Sequence, residues 1–407
     1  MKILCVLGEH NYGDPARGGC YEYVNFLPAI RNLGHQVVFF ESLNRNTYRD
    51  FADLNRKFLE KVQAEKPDII LCVLLGYEIW LETFQLVRDG TNAIIINWST
   101  DDSWKYEQFS RYVAPAFHIY ATTYSEALDK SKRDGHNNFI LTQWAANSAN
   151  LAEPLHASQC HYRVSFIGTA YGNRSKWIVA LETYGIKVEC FGHGWKNGPI
   201  SAEEIPKIMR DSIVSLNFGD SGLLIHGFIP GRSRQIKARV FEVPGAGGFL
   251  MTENAEGLDK FYRIGAEISI YDGIQDLVEN IRYFIEHSDE RDRIALEGYL
   301  RTRDKHTYEL RFGKLFDAAA MQRKEGIFDE QHGIDFEKYD VIEKMHVTGL
   351  MLKLLKILLQ FPCVLIWRET RGPRAARRFL FELSWRFVGK KTYTASGWPG
   401  RLFYKES

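Results

Sequence analysis

Short apolar runs alternate with stretches whose apolar positions recur at helical spacing through most of this chain. That alternation constrains the fold more than any other feature, because it favours parallel sheets whose strands are joined by crossover helices. Over residues 1–150 the expected strands are Ile3–Leu7, Gln36–Phe40, Ile69–Leu74, Ile94–Asn97 and His118–Thr122. Gly18–Leu33 and Tyr48–Glu65 read as helices between them, and Lys66-Pro67-Asp68 stops the second. After a polar connection near Ala149–Cys160 the pattern restarts with a strand at Arg163–Ile167, a turn at Gly168–Asn173, a helix at Arg174–Tyr184 and a strand at Lys187–Phe191. Further strands are expected at Ser212–Asn217, Phe249–Thr252 and Glu267–Tyr271, with helices at Ile236–Pro244, Ile274–Ser288 and Asp289–His306. The fold class is α/β: two doubly wound domains, at residues 1–155 and 156–325, and a tail at 326–407. In such sheets ligands bind beyond the carboxyl ends of the strands, so two in tandem imply a cleft with binding loops on both sides.

The chain has 407 residues, 45% of them hydrophobic, which is enough for two ordinary cores. A formal net charge of +1 offers no global reason to expect a nucleic-acid partner. The six cysteines are scattered, with Cys5 and Cys72 inside apolar runs, so neither a disulfide framework nor a zinc site is indicated and a reducing cytosol fits. The first residues, Met1-Lys2-Ile3-Leu4-Cys5-Val6-Leu7-Gly8, read as a core strand and turn polar at Glu9, unlike an export signal.

Within the second block, residues 239–254 place Glu242 one helical turn before Gly245-Ala246-Gly247-Gly248 and a strand. Glycines let a backbone approach a ligand closely, or simply make a tight helix-to-strand turn; the segment alone admits both readings. Arg174 and Lys176 open a helix directly after Gly168–Gly172, so cations and free backbone amides converge there. Arg232, Arg234, Lys237 and Arg239 form a further basic run.

The motifs Gly168-Thr169-Ala170-Tyr171-Gly172-Asn173-Arg174, Phe191-Gly192-His193-Gly194-Trp195, Phe241–Asn254 and His306-Thr307-Tyr308-Glu309-Leu310-Arg311 resemble the C-terminal domain of CgeB-like glycosyltransferases, with its group 1 type of architecture. The likeness runs from about Val164 to Phe316, and Trp98-Ser99-Thr100-Asp101-Asp102 is similar to a strand end in the N-terminal domain of that family. It implies the GT-B fold, two Rossmann-like domains facing a cleft, and transfer of a hexose from a uridine or guanosine diphosphate sugar without an essential metal or cofactor. The donor residues it implies are Gly18, Gly19, Gly168, Asn173, Arg174, His193, Arg239, Glu242, Gly247 and Gly248. A carboxylate such as Glu242 can accept hydrogen bonds from both ribose hydroxyls, and a cation such as Arg174 or Arg239 can stabilise the departing diphosphate. Related retaining enzymes carry two glutamates eight positions apart; Glu242 matches the second, while Arg234 stands in place of the first. Among His10, Asp14, Asp101 and Asp102, the acid-base candidates, Asp101 is the preferred base and His10 the second choice. The two aspartates can equally cap the helix that starts near Ser103. His118 and His136 read as structural. A nucleotide-sugar epimerase or hydrolase, a non-catalytic sugar-nucleotide-binding protein and an enzyme acting on DNA are the competing readings.

The tail reads Val347–Trp367 as a nearly continuous apolar run interrupted by Lys353, Lys356, Gln360 and Pro362, followed by Arg368, Arg371, Arg374, Arg377 and Arg378. Phe379–Val388 then repeats an aromatic and basic amphipathic pattern, closed by Gly389 and Lys390-Lys391. Lysines within an apolar helix describe an interfacial helix better than a spanning one. The expectation is a cytoplasmic protein, peripheral on the inner face of an anionic membrane, acting on a glycan or lipid-linked acceptor in cell-surface polysaccharide synthesis. The alternative is that these helices pack back on the body.

Overall fold

The computed structural model describes residues 1–226, 229–325 and 333–406, and of residues 220–226, 229–233 and 324–325 the backbone only. Two compact units emerge, one from residues 1–142 with 313–407 and one from residues 143–312.

In the first unit, β1 (Lys2–Leu7), β2 (Gln36–Glu41), β3 (Ile69–Cys72), β4 (Ile94–Ser99), β5 (Ile119–Thr122) and β6 (Phe139–Leu141) form a parallel sheet in the order β2-β1-β3-β4-β5-β6. Ile3 to Leu7, Ile69 to Cys72 and Ile94 to Ser99 are buried throughout, as strands covered on both faces must be. The crossover helix Phe51–Glu65 starts at Asp50, whose carboxylate accepts the Asp53 N–H, and stops at Lys66, which takes a left-handed φ of 46° before Pro67. In the second unit, β7 (Tyr162–Ile167), β8 (Glu189–Phe191), β9 (Ser212–Asn217), β12 (Leu250–Glu253) and β13 (Ser269–Tyr271) form a parallel sheet in the order β13-β12-β9-β7-β8. β10 (Asp220–His226) and β11 (Ile229–Arg234) pair with each other as an antiparallel hairpin.

Both sheets share one winding scheme. The chain enters on an inner strand, adds a neighbour on one side, then crosses to the other, so the strand order reverses between β1 and β3 and again between β7 and β9. At such a reversal the loops leave the carboxyl ends of adjacent strands in opposite directions and open a crevice. In the first unit the loop after β1 borders it; in the second, the loops after β7 and β9 do.

Three expectations change. Between Asn217 and Ile236, where no element is expected from the sequence, β10 and β11 pair with each other. The three-residue strand β6 carried too short a pattern to be read. The boundaries at 155/156 and 325/326 give way to 142/143 and 312/313. Residues 143–155 belong with the second sheet because the Ala146 N–H donates to the His306 carbonyl (2.8 Å) and the Tyr308 N–H to the Ala146 carbonyl (3.1 Å). The tail packs into the first unit: the Tyr339 ring stacks on Trp80 and its hydroxyl donates to the Ala52 carbonyl (2.6 Å), while Arg56 lies between Asp340 and Glu343. Tyr404 closes the same core, donating to the Tyr48 carbonyl (3.0 Å). Residues 326–332, within the expected tail, lie outside the described residues.

Candidate functional site

At the strand reversal of the second unit Phe166 lies buried in the core near the end of β7. Gly168 follows, with φ 154°, and a Cβ there would lie 2.6 Å from an Arg239 guanidinium nitrogen. The side chain missing at 168 is thus the space that Arg239 occupies. The guanidinium carbons of Arg239 and Arg174 lie 5.6 and 5.4 Å from the centre of the Phe166 ring. The turn is braced from the neighbouring strand: the Gly168 N–H donates to the Phe191 carbonyl, the Ala170 N–H to the His193 carbonyl, and the Trp195 indole N–H to the Gly168 carbonyl at 2.6 Å. This explains Gly192, where a Cβ would meet the Gly168 carbonyl oxygen at 2.5 Å. His193 is exposed in this turn and Asn173 half-buried at the start of the helix Arg174–Thr183.

Arg174 and Arg239, the two candidate cations for the diphosphate, are held differently. Arg174 is only 5% exposed, its guanidinium donates to the Thr169 carbonyl (2.9 Å) and it covers the Tyr171 ring at 4.3 Å, so its charge holds the turn together. Arg239 is half-buried at the head of the helix Arg239–Gly245, and Glu242, three residues on, shares its face. Of the other cations, Lys176 is exposed, Lys237 donates to the Gln235 carboxamide (2.9 Å), and the Arg232 side chain lies outside the described ones.

The glycine-rich segment is corrected. Gly245, Gly247 and Gly248 are buried, and a Cβ on them would lie 2.6 Å from the Ala146 Cβ, 2.5 Å from the Ala152 carbonyl oxygen and 2.5 Å from the Met209 carbonyl oxygen, respectively. Only glycine allows these approaches, to a side chain at Gly245 and to backbone at Gly247 and Gly248, and Gly247 also takes φ 80°. The tight-turn reading accounts for these glycines: the protein's own backbone fills the space that Gly247 and Gly248 were expected to leave for a ligand.

Arg234 finds a physical role. Its guanidinium bonds Asp272 (2.7 Å) and lies 3.7 Å from Glu253, whose side chain is fully buried at the end of β12. A carboxylate so placed needs a cation, so an arginine at 234 and a glutamate at 253 form a compensating set at the carboxyl edge of the sheet. Glu253 was not singled out because a lone acid ending an apolar run reads as the strand boundary; Phe166 carried no signal.

In the first unit the loop after β1 is tied by its own bonds: the Asn11 carboxamide donates to the Arg17 and Gly19 carbonyls, and the Cys20 N–H to the Glu9 carbonyl. Gly18 takes φ 76° with nothing within 4 Å of where a Cβ would stand, and Gly19 pairs with the half-buried His10. Asp14 caps the short turn Pro15–Arg17. Asp101, half-buried, occupies the cap position before Asp102 without a side-chain capping bond. Asp102 is buried, accepts from the Ser99 (2.7 Å) and Ser110 hydroxyls, and burial pushes its carboxyl above the usual range. Its place is in the core of this strand end. Glu22, in the first turn after Gly18-Gly19-Cys20, is an acid that the sequence reading passed over: burial raises its carboxyl, the charge of Asp101 adds to the rise, and the Cys20 thiol donates to it at 2.9 Å. His118 accepts the Ile95 N–H (2.9 Å) and His136 stacks on Phe139. Among the described residues no group of three or more His, Cys, Asp or Glu side chains is arranged to hold a metal.

His306 and Arg311 brace the second unit. One His306 ring nitrogen faces the Phe261 carbonyl (2.9 Å) and the other faces Arg311 (3.0 Å), which fits a neutral ring donating through Nε2 and accepting through Nδ1. Burial, with the Arg311 charge beside it, lowers the His306 pKa from 6.5 to about 4. The folded state therefore binds fewer protons than the unfolded one, so this stabilisation is complete above pH 6.5 and lost as pH falls towards 4, by about 3 kcal/mol in all. Urea unfolding at pH 7.5 and 4.5 measures the slope; His306→Gln should flatten it relative to the wild type.

No curated protein matches the chain in sequence. Residues 174–317 match the family model described as "Glycosyl transferase-like". Among solved structures, sucrose-phosphate synthase from Thermosynechococcus elongatus aligns with a TM-score of 0.57 at 12% identity, covering 79% of this chain and 100% of its own. Anabaena HepE, solved in complex with UDP, aligns at 0.53 and 10% identity, again over 79% and 100%. AviGT4, a glycosyltransferase involved in avilamycin A biosynthesis, aligns at 0.52 and 11%, over 80% and 98%. With two parallel α/β sheets of this winding and these neighbours, the chain has the GT-B fold, and within it residues 174–317 are similar to the glycosyl transferase-like family.

Proposed function

We propose that the protein is a glycosyltransferase that moves a hexose from a nucleoside diphosphate sugar to a hydroxyl of a glycan or lipid-linked acceptor. The observation that carries this reading is the Arg239 guanidinium seated against Gly168 at the strand reversal of the second sheet, one helical turn before Glu242. The diphosphate gains negative charge as the glycosidic bond breaks, and a cation fixed there together with the positive end of the helix Arg174–Thr183 stabilises that charge. Glu242 accepts hydrogen bonds from the ribose hydroxyls. HepE, which shares the fold and is solved with UDP-glucose, supports uridine as the base. On the first unit Asp101 is the base for the acceptor hydroxyl. The finer likeness to CgeB-like enzymes, the cell-surface polysaccharide pathway and a cytoplasmic location belong to the same proposal, as does transfer without a metal.

A thermal-shift screen of nucleotide sugars tests it. A true donor or its diphosphate at a hundred times Kd should stabilise the fold by about 2.7 kcal/mol. Glu242→Gln should weaken that binding about ten- to a hundredfold, the loss of hydrogen bonds to a charged group. If no nucleotide raises the melting temperature, or Glu242→Gln binds as well as wild type, the donor site is elsewhere. Donor consumption independent of acceptor would favour a hydrolase or epimerase, and stabilisation without turnover a binding protein.

A further inference from the structure

The helix Leu350–Val388 breaks at Arg368, which takes φ 62° and ψ 175°. Gly372 lies so close to the preceding segment that a Cβ on it would be 2.6 Å from the Val364 Cα. Eight residues of straight helix would separate these positions by about 12 Å, so the chain reverses and the two halves form a hairpin. Its inner seam is filled: Leu352, Leu355, Leu359 and Cys363 pack on Ala376, Leu380, Leu402 and Phe403.

Among the described residues, none covers the opposite face of the first helix in this way. Leu350, Leu354, Ile357, Leu358, Phe361 and Leu365 are 49 to 74% exposed, and their spacing puts them in one stripe, about 22 Å long, that contains no polar residue. By length and composition this helix is apolar enough to cross a membrane. Its inner side argues for another arrangement, because Lys356 pairs with Glu406 (3.1 Å) and Gln360 donates to the same carboxylate (3.3 Å) midway along it. Crossing would carry that polar set into hydrocarbon. Lys353 flanks the stripe, and exposed Arg368, Arg371, Arg374 and Arg378 gather at and after the turn with Glu369 as the acid among them. An apolar stripe bordered by cations matches the interface of a bilayer with anionic headgroups.

We propose that this hairpin seats the protein on an anionic bilayer surface, its outer stripe entering the boundary between headgroups and acyl chains while the inner seam and the Lys356–Glu406 pair stay above it. The inference holds whether or not the protein transfers a sugar. Flotation of the full chain with phosphatidylcholine vesicles, and with vesicles that also contain phosphatidylglycerol, tests it. Wild type should float with the anionic vesicles and about tenfold less with the neutral ones. Leu358→Glu/Phe361→Glu alters two outward side chains, so its thermal midpoint should hold while vesicle binding falls about a hundredfold. Arg371→Gln/Arg374→Gln/Arg378→Gln should weaken binding to the anionic vesicles alone. The proposal is overturned if wild type stays unbound, if the double variant floats equally well, or if sedimentation shows a wild-type dimer that the double variant dissociates while vesicles bind neither.

Discussion

Arg239→Gln is expected to lower sugar transfer about a hundred- to a thousandfold, the usual effect of removing one preorganised donor to a developing charge. The residue sits where its loss cannot be repaired nearby. Its guanidinium fills the space left by the missing Gly168 side chain, while the other cation beside Phe166, Arg174, is engaged by the Thr169 carbonyl and the Tyr171 ring. The drop should fall mainly on kcat, since the diphosphate is more negative when leaving than when bound in the intact donor. Arg239→Lys should recover part of it, keeping the charge but losing the planar fork. The measurement is steady-state transfer with the donor found by thermal shift. Activity within about threefold of wild type for Arg239→Gln would remove this arginine from the leaving-group site.

Arg291→Met should destabilise the second unit by about 3–5 kcal/mol. The Arg291 side chain is fully buried and donates to the backbone carbonyls of Leu155 (2.8 Å), Ser212 (2.8 Å) and Ile213 (2.9 Å), with Asp292 at 3.0 Å. A buried ion pair can often be exchanged for apolar residues at little cost, because both charges leave together. Here the partners are main-chain oxygens that no substitution removes, so methionine would strand three acceptors in the interior. Urea unfolding of the wild type and Arg291→Met measures the difference; a change below about 1 kcal/mol would mean that water or another donor takes over.

All strands of the two sheets except the three-residue β6 were legible, most of them because a strand buried on two faces is largely apolar, and Ser212–Asn217 was read to its ends. The C-terminal helices were legible as two amphipathic runs around an arginine cluster, but their reversal at Arg368 was not. The loops of the candidate site were legible as far as Gly168, Arg239 and Glu242. What could not be read was which glycine faces what: Gly168 makes room for a guanidinium, whereas Gly247 and Gly248 make room for carbonyls of residues distant in sequence. The same limit hid Glu22 and Glu253, whose environments come from Asp101 and Arg234.

The sequence by itself determined the α/β class, the alternation of strands and helices in two blocks, and the chemistry available at each loop, since periodicity and residue type are local properties. Only the tertiary structure decided which cation at the turn after β7 is engaged by the Thr169 carbonyl, why an arginine occupies position 234, and that the tail folds at Arg368 with one apolar face spent on packing and the other left outward. Those outcomes depend on contacts between segments far apart in the chain, where a side chain's partners, and so its charge, its burial and its role, are assigned by packing.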